Sequence, residues 1–195
     1  MTLALLLALP AAASAVTVQG AWSLGGEALT GAGLQVRFSR QAGDLDLDLA
    51  DGAEARLRLF RIWTDESDVG ADDRVATALT AMFSLPAIGA GGSVSGHVSG
   101  REATGLQWGN VGWDAPLQVA VGGGMLSILL SDQSFGRGIL GLARGRQNGA
   151  VVFARLSYAA GPTVSPVPLP AGLPLALTGL GVLRLLRRTA NACAA

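Results

Sequence analysis

Residues 44 to 49 read Asp-Leu-Asp-Leu-Asp-Leu, and that strict alternation points to a strand. Successive side chains of a strand face opposite ways, so Leu45, Leu47 and Leu49 share one face and Asp44, Asp46 and Asp48 the other. The same period returns along the chain. Leu57, Leu59 and Ile62 are interleaved with Arg56, Arg58 and Arg61. Leu126, Ile128 and Leu130 make a third set, and Val151, Phe153 and Arg155 belong to a fourth. Glycine-rich stretches, Gly89-Ala90-Gly91-Gly92 and Gly122-Gly123-Gly124, bound these runs. The alanines of Arg74 to Phe83 favour a helix, but the segment precedes Pro86 among strands and is read as a strand. Several short strands with turns between them predict an all-β domain, of sandwich or jelly-roll form, over residues 16–160.

The bulk composition agrees with a packed domain. Half of the 195 residues are hydrophobic and 14% are charged, which is the wrong balance for a disordered chain. Lysine is absent, so all 14 basic residues are arginine, matched by 14 acids. Three of the arginines lie at 184, 187 and 188, leaving the chain before them with a net charge of −3. A mildly acidic domain has no electrostatic case for nucleic acid. The sole cysteine, Cys193, permits no intrachain disulfide, and one cysteine with one histidine builds no zinc site. Core packing has to hold the domain together.

Both ends read as targeting segments. Leu3 to Leu9 is an apolar run followed by Pro10 and small residues ending Ala13-Ser14-Ala15. Small side chains at Ala13 and Ala15 fit a signal peptidase, so residues 1–15 are expected to be a signal peptide. The run is too short to span a bilayer, which takes about 20 residues. No Lys or Arg precedes it, and the amino terminus alone supplies positive charge. At the other end, Pro and small residues from 161 to 170 make a linker. An apolar stretch follows, then Arg184, Arg187 and Arg188. With Arg184 snorkelling, residues 171–188 are expected to form a membrane helix with its arginines in the cytoplasm and residues 189–195 as a short tail.

The string Val167-Pro168-Leu169-Pro170-Ala171, the apolar run and the terminal arginines together resemble the VPLPA variant of the PEP-CTERM sorting signals. That resemblance implies an exosortase, a membrane-embedded cysteine protease, with the motif as its recognised substrate. It also implies a surface or matrix protein of a Gram-negative bacterium that makes extracellular polysaccharide, held transiently in the inner membrane and then passed outward. The chain differs from the usual pattern in having Arg184 within the helix and seven residues after Arg188. A central stretch also resembles a domain that recurs beside such signals. It comprises Leu59-Phe60-Arg61-Ile62-Trp63-Thr64-Asp65-Glu66, Asp72-Asp73, the glycines near Gly92 and Gly112-Trp113. That resemblance implies a β-sandwich without an assigned activity.

Candidate chemistry is sparse. Asp65, Glu66, Asp68, Asp72 and Asp73 crowd five carboxylates into one loop, a plausible source of oxygens for calcium outside the cell. Asp44, Asp46, Asp48 and Asp51 begin like a calcium loop but place Leu49 where glycine is needed and Ala55 where Glu is needed. Trp108 and Trp113 flank Gly109 to Gly112, read as a hairpin turn, and the pair could stack on sugar rings. Trp63 reads as buried. His97 has no legible Ser and Asp partners for nucleophilic catalysis. The expectation is therefore a non-catalytic exported protein without a required cofactor. A carbohydrate-binding module and a membrane-anchored hydrolase stand as alternatives.

Overall fold

The computed structural model describes residues 15–31 and 33–161. Eleven strands account for most of them. The first five are β1 (Ala15–Gly25), β2 (Val36–Phe38), β3 (Ala42–Ala50), β4 (Glu54–Thr64) and β5 (Thr77–Leu85). The remaining six are β6 (Ala90–Ala103), β7 (Leu106–Trp113), β8 (Leu117–Val121), β9 (Gly124–Leu130), β10 (Gln133–Ile139) and β11 (Ala150–Ala159). The helical elements among the described residues are three short 3-10 turns, and no helix there is long and apolar enough to cross a membrane. The fold is all-β.

The strands form two sheets, one ordered β10-β7-β6-β5-β1-β3 and the other β2-β4-β11-β9-β8. Neighbours pair antiparallel throughout. One apolar cluster draws on both sheets. Val18, Leu79, Val94, Val98 and Val111 enter it from the six-stranded sheet, and Phe60, Ile62, Leu126, Ile128 and Leu156 from the five-stranded one. Each such side chain stabilises the fold by about 1.5–3 kcal/mol when fully buried. Trp22 also lies in this core, its ring 5.8 Å from that of Phe60.

The alternation at Asp44 to Leu49 becomes β3, at the edge of the six-stranded sheet, with Leu45 and Leu49 buried and the three aspartates exposed. The alanine-rich segment before Pro86 is strand β5. The β4 pattern shows why its leucines and isoleucine change parity. Val152 of β11 pairs with Phe60, and the next residue, Phe153, pairs with Arg58, so Leu59 is an extra residue on β4. This bulge lets Leu59 and Phe60 both turn inward, and from there Ile62 and Thr64 continue the buried face.

Other details differ from the sequence expectation. In β11 the inward residues are Val152, Ala154, Leu156 and Tyr158, which leaves Val151, Phe153 and Arg155 on the outer face. Ala90 to Gly92 belong to β6, and only Gly89 of that glycine-rich stretch stays in the turn. Gly122 and Gly123 form the two-residue turn between β8 and β9, at φ 56° and 81°, a left-handed conformation that suits glycine. The expected hairpin between Trp108 and Trp113 is instead the continuous strand β7, paired with β6 along its length.

Candidate functional site

Residues 1–14, with Ala13, and the whole stretch expected to be a C-terminal signal, Val167, Pro168, Leu169, Pro170 and Ala171 with Arg184, Arg187 and Arg188, lie outside the described residues. Ala15 is the first residue of β1 and pairs with Ala50.

The acidic loop after β4 is built from its hydrogen bonds. Thr64, at the end of β4, donates its hydroxyl to the Gln35 carbonyl at 2.7 Å and accepts the Glu66 N–H at 3.1 Å. Asp73 is buried, and its carboxylate accepts the Gly70 N–H at 2.7 Å. Val69 is held inward by its N–H donated to the buried Gln107 amide oxygen at 2.9 Å. Asp65 pairs at 3.6 Å with Arg37 on β2. The result is a concave surface of about 480 Å³ where Asp65, Glu66, Asp68, Asp72 and Asp73 meet Arg144.

Burial raises the Glu66 carboxyl above its ordinary range, the Gln35 N–H works against that, and the charges of Asp73 and then Asp72 add to the rise. One Glu66 carboxylate oxygen is shielded from solvent with no hydrogen-bond partner. Among the described residues no group of three or more His, Cys, Asp or Glu is placed to hold a metal ion. Three of the five calcium candidates, Asp73, Asp65 and Glu66, are engaged in structural contacts.

The tryptophans do not form a platform. Trp108 and Trp113 are five residues apart on β7, so they leave the sheet on opposite faces. Trp108 sits on the outer face, where it lines a small recess with Ser134 and Arg137. Trp113 turns inward, over Gly96 of β6, where a methyl group would meet its ring at 2.6 Å. Trp63 is partly exposed rather than buried, with the Arg146 guanidinium 6.0 Å from its ring centre. His97 lies on β6 with its Nδ1 3.8 Å from the Asp114 carboxylate.

A different set of residues converges on the outer face of the five-stranded sheet. Arg56 of β4 stands directly opposite Arg155 of β11, and Arg155 opposite Leu129 of β9. The Arg56 guanidinium lies 3.9 Å from the centre of the Phe153 ring, within cation–π range. These side chains line a groove of about 400 Å³ that starts on this face and runs past Leu130, the end of β9, to Ser131, Asp132 and Trp113, the last residue of β7. The Asp132 carboxylate accepts the Trp113 backbone N–H at 2.8 Å, while the Trp113 indole N–H is buried without an acceptor. Sequence reading took Arg56 and Arg58 as the polar side of a strand. The meeting of Arg56 with Arg155 follows from pairing between segments about a hundred residues apart, which no local pattern carries.

No family model matches the chain, and neither the curated proteins nor the solved structures yield a match.

Proposed function

We propose that this chain is an exported surface or extracellular-matrix protein, sorted through its VPLPA-type C-terminal signal as an exosortase substrate, whose β domain works by binding rather than catalysis. The observation that carries the reading is the position of both signals relative to the strands. Cleavage after Ala15 removes only the outermost pair of β1, Ala15 with Ala50, and leaves Val16 opposite Leu49 as the first rung. At the other end β11 closes at Ala159, and Val167 comes eight residues later. Processing at either signal therefore costs the two-sheet core none of its buried side chains among the described residues.

In this reading signal peptidase acts at Ala13-Ser14-Ala15, the apolar run enters the inner membrane, and Arg184, Arg187 and Arg188 hold its end in the cytoplasm. Pro168 and Pro170 lack the N–H that a helix or a sheet ladder needs, which is the chemical feature of the motif that the test removes. The test is fractionation of the native host expressing the chain with Pro168→Ala and Pro170→Ala together. The altered chain should accumulate at full length in the inner membrane while the parent leaves it. Equal release of both would overturn the sorting role of the motif.

A further inference from the structure

We propose that the groove on the outer face of the five-stranded sheet is a binding site for a carboxylate-bearing sugar chain, with Arg56 and Arg155 as its anion clamp. The inference rests on the groove alone and holds however the chain is sorted.

The two arginines are cross-strand partners, about 5 Å apart on adjacent strands. Like charges in that position repel each other, so a sheet gains nothing from placing them there without an anion. The carboxylate nearest the pair is Glu54, 3.9 Å from Arg155, with both side chains 61% exposed. A contact that long and that wet neutralises little. Arg56 has Phe153 beneath it and no carboxylate partner among the described residues. Guanidinium forks match carboxylate geometry, and the Arg56 guanidinium already has the Phe153 ring as a contact.

The rest of the lining selects among anions. With the Phe153 ring covered by Arg56, the 44%-exposed Leu129 offers the apolar surface on which the C–H face of a sugar ring can rest. Asp132 uses one carboxylate oxygen on Trp113, leaving the other to accept a hydroxyl. Ser131 accepts the Phe153 N–H at 2.9 Å and the Gln133 amide at 3.1 Å, which leaves its own O–H free to donate. A ligand that suits both the arginines and Asp132 has to carry carboxylates and hydroxyl donors on the same ring, as a uronic acid does. A DNA strand carries one phosphate charge per residue and no backbone hydroxyl, so Asp132 opposes it.

The experiment measures binding of the full chain, in detergent, to an oligogalacturonate. The comparison ligands are a neutral galactose oligomer of the same length and a single-stranded oligodeoxynucleotide of the same charge. The uronate should bind at least tenfold tighter than either and weaken as salt rises. Arg56→Ala and Arg155→Ala should each lower that affinity about tenfold. Arg101→Ala, which removes the same charge from the other sheet, should leave it unchanged. Equal affinity for the uronate and the neutral oligomer, tighter binding of the DNA, no binding, or equal losses from all three variants would each overturn the proposal.

Discussion

Glu66 shows how one side chain records its surroundings. Burial comes first among the causes that raise its carboxyl, with Asp73 and Asp72 adding to it against the Gln35 N–H. A carboxyl whose folded value lies above its unfolded one favours the folded state at low pH, and that contribution is lost as pH rises through the folded value. At neutral pH the charge on Glu66 therefore weakens the fold. Glu66→Gln removes the charge and keeps an oxygen for Gln35. Because Glu66 still meets solvent, screening limits the gain, and the melting temperature at pH 7 should rise by only about 1–2 °C. Below the usual carboxylate range, where Glu66 is protonated in both states, the parent and variant curves should converge. A difference that stays constant with pH, measured by thermal scans from pH 3 to 8, would contradict this origin. The crowding of carboxylates was legible in the sequence. The inward turn of Asp73 was not, since it depends on Gly70 and on the Asp73 carbonyl accepting the Gly100 N–H from β6.

At the scale of elements, alternation located β3, β4, β9 and β11, because one buried face imposes a period of two on a strand. It could not place β3 and β4 in different sheets, since that depends on the turn at Asp51 and Gly52, not on either strand's pattern. Nor could it foresee the bulge at Leu59, which changes parity without leaving the strand. The β3 aspartates acquire a meaning from their place. As an edge strand, β3 presents unpaired backbone groups, and a row of like charges repels a second copy that would pair there. Among the described residues Asp46 and Asp48 bond only to the neutral Gln19 and Thr17 of β1, so their charge stays available for that repulsion. Replacing Asp44, Asp46 and Asp48 together with valine should leave the fold standing and increase dimers and larger species, read by light scattering after gel filtration. An unchanged mass distribution would show that the edge is protected in another way.

For the whole molecule, an acidic domain carries an arginine-bearing outer face on one sheet and an aspartate-bearing outer face on the other. Composition gave the net charge and the need for core packing, both of which follow from counting residues. The division of charge between faces depends on which strands share a sheet, and only the pairings reveal it. The proposed targeting segments have the opposite character: they are local strings, readable without any fold. The proposed export and sorting rest on those strings. The most direct measurement is the intact mass of the protein recovered from the surface or medium of its host. Processing at both signals predicts a chain that begins at Val16 and lacks the apolar run with Arg184, Arg187 and Arg188. A recovered chain that still carries that run would contradict it.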